Sequence, residues 1–265
     1  FDAFTTGNNN TVLGYKAGTS VTSGYSNVLI GYEAAEVIST GYENVVVGAN
    51  PSQANLQQST LIGFNAGKEG TAHNVVGIGY RAIGQGTLTT DANGTVAVGY
   101  QALQDLTSGN SNVAIGYEAM KVHTTGGNNI AIGYGAMNDT DAGSTSLGSE
   151  SNVFIGGDSG GGTWADAASR YNVGIGVATL SDALNGADGN IAVGYQAGRY
   201  VTTGDNNVFI GQLTGDAVTT ESGIIAIGSG AAGAISTTGD YTIAIGHGAL
   251  GGAEIGDGNI AIGYQ

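Results

Sequence analysis

The chain has 265 residues, of which 50 are glycine, one is proline and none is cysteine. Six lysine and arginine residues against 21 aspartate and glutamate residues give a formal net charge of −15. Because such a chain repels the phosphate backbone, we expect no nucleic-acid partner. The lack of cysteine excludes disulfides, thiol nucleophiles and zinc–thiolate sites. No apolar run approaches the ~20 residues of a bilayer-spanning helix, so we expect no membrane insertion.

A short motif, apolar-x-apolar-Gly, recurs fifteen times along the chain, most often 17 residues apart. One copy reads Asn112-Val113-Ala114-Ile115-Gly116-Tyr117. Such a period indicates stacked repeats, each of which buries its apolar side against its neighbours. The motif glycines are Gly14, Gly31, Gly48, Gly63, Gly79, Gly99, Gly116, Gly133, Gly156, Gly176, Gly194, Gly211, Gly228, Gly246 and Gly263.

The repeated motif predicts a β-strand, because it is short, β-branched and closed by glycine, and 17 residues leave no room for a helix with its connections. The fold class we expect is all-β: a parallel β-solenoid of about 15 coils, ~17 residues each. Residues 1–265 then form a single repeat domain, with longer, irregular coils near 80–98 and 134–175. Since the chain begins at Phe1 rather than Met, we expect it to be a fragment or a processed product.

The residue before the strand is asparagine in ten of the fifteen copies, for example Asn27, Asn44 and Asn172. An asparagine amide can hydrogen-bond to its equivalents in the coils above and below, so the pattern predicts an asparagine ladder. Tyrosine often follows the motif glycine, as at Tyr80 and Tyr100. The sequence therefore also predicts an aromatic ladder along one corner, with structural stacking favoured over a carbohydrate-binding row.

Side chains alternate across a strand, so the two outer positions of the motif share one face and the middle position has the other. We expect the bulky outer positions, such as Val113 and Ile115, to form the core. The middle position is always apolar and often small, which predicts a surface that is buried against identical chains around a rotation axis. The alternative is that this face packs inside a flattened monomeric coil. The predicted interface alanines are Ala97, Ala114, Ala131, Ala192, Ala226, Ala244 and Ala261.

Insertions in solenoids form loops on one face, so the longer coils are the best candidates for a binding site. The coils between residues 134 and 175 contain the sole tryptophan, Trp164, together with Arg170 and Tyr171. These three residues are the candidate receptor contacts, since aromatic rings stack well on sugars. The alternative is that Trp164 anchors the loop on the body of the solenoid.

No pattern typical of an enzyme is present in the sequence. His73, His123 and His247 lie in distant copies without metal-ligand spacing, and no catalytic triad is recognisable. We therefore expect no catalysis, no cofactor and no metal. Calcium binding is an open alternative, although the candidate aspartates lack the spacing of a known calcium loop. They are Asp139, Asp141, Asp158 and Asp166.

Two stretches carry a resemblance to known repeats: Asn190-Ile-Ala-Val-Gly-Tyr-Gln-Ala-Gly198 and Thr202-Thr-Gly-Asp-Asn-Asn-Val-Phe-Ile-Gly211. They resemble the glycine-rich repeats of phage tail fibres, and they are also similar to the head repeats of trimeric autotransporter adhesins. The resemblance spans nearly the whole chain. It implies a homotrimer, attachment to a host or surface, and no catalysis in the repeat region.

Three functions follow from the resemblance and the repeat pattern. The first is a structural segment of a phage tail fibre, located on the virion surface, with a cell-surface glycan or protein as receptor. The second is the head of a bacterial trimeric adhesin, located on the cell surface. The third is a self-assembling extracellular filament, because Phe1 and Gln265 nearly continue each other's position in the repeat, which would allow head-to-tail stacking.

Overall fold

The computed structural model describes residues 6–51, 56–67, 70–84, 88–140, 148–164, 167–234, 239–252 and 256–265. Regular structure in these ranges consists of three-residue strands and one turn of 3-10 helix at Thr90–Ala92. The strands are β1 Thr11–Leu13, β2 Val28–Ile30, β3 Val45–Val47, β4 Thr60–Ile62, β5 Val76–Ile78, β6 Val96–Val98, β7 Val113–Ile115, β8 Ile130–Ile132, β9 Val153–Ile155, β10 Val173–Ile175, β11 Ile191–Val193, β12 Val208–Ile210, β13 Ile225–Ile227, β14 Ile243–Ile245 and β15 Ile260–Ile262.

The chain divides into two compact units, Phe1–Asn128 and Asn129–Gln265. In the first unit β1 to β7 form a parallel sheet in chain order, and in the second unit β8 to β15 do the same. Each strand pairs residue for residue with the next, so that Ala97 lies opposite Ala114 and Phe209 opposite Ala226. The predicted parallel β-solenoid of ~17-residue coils is therefore confirmed.

The longer coils do not disturb this pairing. The 3-10 turn at Thr90–Ala92 lies in the first of them, between β5 and β6, and these strands still pair in register. In the second, Ile130 pairs with Val153, and Val153 pairs with Val173. The additional residues are accommodated outside the strands, as expected for insertions in a solenoid.

The glycine that ends each strand is required by its backbone geometry. All fifteen motif glycines have φ between 125° and 149°, a region that L-residues rarely adopt. A Cβ on Gly31, for example, would lie 2.7 Å from the carbonyl carbon of Gly48 in the next coil. Positive φ and close stacking therefore select glycine together.

The predicted asparagine ladder is present. Oδ1 of Asn172 accepts hydrogen bonds from the backbone N–H and the Nδ2 of Asn190, at 3.0 and 3.1 Å. Its own Nδ2 donates to Oδ1 of Asn152 and to the carbonyl of Ala187, at 3.1 and 2.8 Å. In the first unit Asn10, Asn27 and Asn44 are linked in the same way. The ladder satisfies buried polar groups from one coil to the next.

The prediction that the outer strand residues form the core and the middle residues form an external surface is wrong. In β2 to β14 the middle residue of each strand is buried and both outer residues are partly or well exposed. Six of the predicted interface alanines have no exposed surface within a single chain, and the seventh, in the last strand, is half-buried. Their side lies inside the coil, as in the alternative considered above. They are Ala97, Ala114, Ala131, Ala192, Ala226, Ala244 and Ala261.

The physical reason is the narrow interior of a 17-residue coil. The middle strand residue shares this space with the residue four positions after the motif glycine, and in most coils their sizes compensate. A large middle residue occurs with a small partner, as in Phe209 with Gly215, and a small one with a large partner, as in Ala114 with Met120. In two coils both residues are small, Ala192 with Gly198 and Ala226 with Ala232. Both of these strands pair with the strand that carries the large Phe209. Because the interior is close-packed, two bulky outer residues per strand would not fit there.

Candidate functional site

The outer residues of the strands form an aliphatic surface, which we call the outer strand face. In the first unit it comprises the first and third residues of β1 to β7, and in the second unit those of β8 to β15. All of these residues are Val, Ile, Leu or Thr, and none is charged. Ile115 is 38% exposed and Ile175 is 41% exposed. A contiguous apolar surface of this kind on a water-exposed sheet is typical of an association surface.

The predicted aromatic ladder borders this surface. In the first unit Phe64, Tyr80, Tyr100 and Tyr117 stack in succession, with ring centroids 5.5, 5.2 and 4.9 Å apart. The planes of neighbouring rings differ by only 8° to 9°. Each ring covers the face of the next, which leaves mainly ring edges and hydroxyls exposed. This arrangement supports structural stacking rather than sugar binding along the ladder.

Trp164 does not contribute to a receptor surface, because it is completely buried. Its indole packs edge-on against Phe154, with ring centroids 5.7 Å apart and planes at 70°. Its backbone N–H donates to the carbonyl of Asp139 at 3.1 Å. The alternative interpretation is thus correct: Trp164 anchors its coil, and the prediction of a receptor contact at this residue is wrong.

Arg170 and Tyr171 lie on the surface of the second unit. The Arg170 Nε is 3.5 Å from a carboxylate oxygen of Glu150, and both side chains are more than 40% exposed. Tyr171 is 61% exposed and adopts a left-handed backbone conformation, with φ of 60°. The structure therefore brings Arg170 and Tyr171 together at an exposed turn, without Trp164.

A column of acidic residues, which was not predicted from the sequence, runs along the same turn in the second unit. The backbone N–H of Arg170 donates to Oδ1 of Asp188, and that of Asp188 donates to Oδ1 of Asp205, both at 2.7 Å. Asp240 and Asp257 continue the column beyond Ser222. The signal in the sequence is an aspartate two residues before the ladder position in successive copies.

The candidate metal-binding histidines and aspartates that the structure describes do not form a metal-binding cluster. His123 is buried inside its coil, where its Nε2 lies 3.1 Å from the carbonyl of Gly126. Asp141 and Asp166 lie outside the described residues. Among the residues that the structure describes, no group of three or more His, Asp or Glu side chains is arranged to hold a metal ion.

In the longer coil near 80–98, the 3-10 turn borders a shallow polar groove of about 390 Å³. Thr90, Asp91 and Asn93 form one side, and Ser108 and Asn110 belong to the next coil. The groove lies in one of the longer coils, which the sequence predicts to be candidates for binding.

The part of the chain that the structure describes contains no helix long and apolar enough to cross a membrane. Comparison of the chain with models of known protein families finds no match, and comparison with curated protein sequences also finds none.

Proposed function

We propose that this chain is a structural, non-enzymatic segment of an extended fibre that mediates attachment to a host or surface, as phage tail fibres do. In this proposal three identical chains associate through the outer strand face. The observation that carries the proposal is the row of uncharged Val, Ile, Leu and Thr residues on the strands of each unit, partly or well exposed in the single chain. The attachment role itself rests on the resemblance of the repeats.

A second and a third copy of the chain are the partners that fit this face best. The face has no charged group with which to select a polar partner, and its flat rows of Val and Ile match an identical surface in chemistry. Burial of apolar surface contributes about 25 cal/mol per Å², so side chains repeated on every coil give a large total. None of the charged residues that give the net charge of −15 belongs to the outer strand face.

The non-enzymatic part of the proposal is supported by the roles of the polar residues. The buried asparagines hydrogen-bond to one another and to backbone groups, and the acidic column binds backbone N–H groups. These contacts connect coil to coil, which is a structural task.

The proposal is tested by measuring the mass of the native particle for the parent chain and for Ile115→Glu combined with Val98→Glu. We expect the parent to be a trimer. The variant is expected to be a monomer with an unchanged β-sheet signal in circular dichroism, because two carboxylates would have to be buried unpaired in the interface.

Ser111→Glu is the matched control, since Ser111 is exposed and Glu43 occupies the equivalent position in another coil with the same left-handed backbone. It adds a charge outside the outer strand face and is expected to remain trimeric. A monomeric parent, or a trimeric double variant, would contradict the proposed association. Attachment is measured separately as binding of the labelled assembly to candidate host cells, and a lack of binding would restrict the chain to a spacer role.

A further inference from the structure

The aromatic ladder of the first unit has one position without a ring. Tyr15, Tyr32, Phe64, Tyr80, Tyr100 and Tyr117 each follow a motif glycine, but Ala49 follows Gly48. The backbone shows that Ala49 belongs to the same column. Asn50 N–H donates to the carbonyl of Tyr32 at 2.8 Å, and Asn65 N–H donates to the carbonyl of Ala49 at 3.1 Å. Ala49 therefore lies one coil from Tyr32 and one coil from Phe64.

The space beside the Ala49 methyl group has the height of one ring. Tyr32 and Phe64 are two coils apart, which corresponds to about 9.6 Å at the ~4.8 Å spacing of parallel strands. Elsewhere in this ladder each coil step holds one ring, with centroids 4.9 to 5.5 Å apart. The exposure of the two bordering rings agrees with a missing neighbour: Tyr32 and Phe64 are 53% and 46% exposed, whereas Tyr80 and Tyr100 are 38% and 40% exposed.

Each of the two bordering rings stacks, on the side away from the gap, against another ring of the ladder. Tyr32 stacks on Tyr15 at 5.4 Å, and Phe64 stacks on Tyr80 at 5.5 Å. A hydrogen bond to Glu33 also holds the Tyr32 hydroxyl and raises the pKa of Tyr32. A ligand that entered the gap would thus meet two preordered aromatic faces, which lowers the entropic cost of binding.

The electrostatics of the gap favour a positive charge. The chain places its own cations over ladder rings, with Lys16 Nζ 5.7 Å from the centroid of Tyr15 and Arg81 Cζ 5.3 Å from that of Tyr80. At the gap the corresponding residue is the neutral Asn50. The carboxylate of Glu33, adjacent to Tyr32, is paired with Lys16 Nζ at 3.3 Å. The attraction for a cation therefore comes mainly from the two aromatic faces and from the acidic character of the whole chain.

We propose that the gap at Ala49 is a binding site for a flat aromatic cation, held between the ring faces of Tyr32 and Phe64. The bound ring would take the place of the missing rung and continue the stack. The positive charge would face the two π-systems. This site is independent of the proposed association of chains, because it lies at the ladder corner and not on the outer strand face.

The probe for the test is N-methylquinolinium, titrated into the folded 265-residue chain and followed by proton NMR. We expect saturable binding with upfield shifts of the probe's ring protons, the signature of a ring held between two aromatic faces. Neutral quinoline is expected to bind roughly fivefold more weakly, because it lacks the cation–π attraction. Equal affinity of the two probes would overturn the assignment to a cation.

The decisive variant is Ala49→Tyr, which fills the gap with the residue found elsewhere in the ladder, and affinity is expected to fall roughly tenfold or more. Ser229→Tyr is its matched control, since Ser229 follows a motif glycine in the second unit and is exposed. It adds the same side chain at the same kind of corner and is expected to leave affinity unchanged. Tyr32→Leu, which removes one face, is a second test by subtraction. Undiminished saturable binding by Ala49→Tyr or by Tyr32→Leu would overturn the site.

Discussion

At the scale of single residues, the interior is specified by pairs of side chains rather than by a fixed consensus. Leu61 and Phe154 occur with Gly67 and Gly160 four residues after the motif glycine. A Cβ on Gly67 would lie 2.7 Å from Cδ1 of Leu61. Where the strand carries alanine at position 97, Leu103 occupies the paired position instead of glycine. These coils therefore reach similar packing with different residues.

This packing predicts that Gly215→Ala is strongly destabilising. Gly215 has φ of 68°, and a Cβ there would overlap Cδ1 and Cε1 of the buried Phe209 ring. We expect the variant to lose about 1–3 kcal/mol of unfolding free energy through overpacking, beyond the cost of a left-handed alanine. The measurement is the urea midpoint of unfolding.

Gly230→Ala provides the comparison for that variant. Gly230 has a similar φ of 65°, but a Cβ added there would have no other atom within 4 Å. Both variants share the backbone cost, so the difference between them isolates the clash with Phe209. Equal midpoints for the two variants would show that the Phe209 ring does not restrict Gly215.

At the scale of the coil, the sequence predicts the regular features but does not determine which face of each strand is buried. Strand positions, motif glycines and both ladders could be predicted because each repeats at a fixed spacing. The faces could not, because alternation shows that Val113 and Ile115 share a side without showing which side is buried. The size compensation between Ala114 and Met120 is the signal that identifies the interior.

The candidate sites were less predictable than the fold, since they depend on single departures from the repeat. Trp164 stands in an insertion, and only the structure shows that its indole packs inward on Phe154. The gap at Ala49 is visible in the aligned repeats as one small residue in an aromatic column. Whether the gap can bind a ring depends on how Tyr32 and Phe64 stack, which the sequence alone does not show.

The asparagine ladder predicts a large effect for Asn172→Ala. The substitution leaves the N–H of Asn190 without its acceptor and removes the donor to Oδ1 of Asn152. Since each unsatisfied buried polar group costs ~1–3 kcal/mol, we expect a loss of about 2–4 kcal/mol in unfolding free energy. Amide hydrogen exchange at Asn190 is expected to accelerate.

Asn206→Ala is the control for the ladder. Asn206 precedes a ladder residue but is exposed, and Ala178 shows that alanine adopts the same left-handed conformation. We expect its effect to stay within about 1 kcal/mol. If both asparagine variants unfolded at the same denaturant concentration, the ladder would not be the source of the stability.

At the scale of the whole molecule, the charge of −15 opposes the compact state, and the acidic column concentrates part of that charge. Asp188 and Asp205 are neighbours in adjacent coils, which places like charges about 4.8 Å apart along the stack. The Debye length is about 10 Å at 0.1 M salt, so this repulsion acts mainly at low ionic strength. We therefore expect added salt to raise the melting temperature of the parent chain.

Asp205→Asn removes this repulsion but keeps the hydrogen bond, because an amide Oδ1 also accepts a backbone N–H. Asn93 shows the arrangement in the first unit, where its Oδ1 accepts the N–H of His73 at 2.7 Å. We expect the variant to gain about 0.5 kcal/mol in unfolding free energy at low ionic strength and nothing at about 1 M salt. Asp216→Asn removes one charge outside the column and is expected to gain less. An equal, salt-independent gain in the two variants would mean that the column adds nothing beyond net charge.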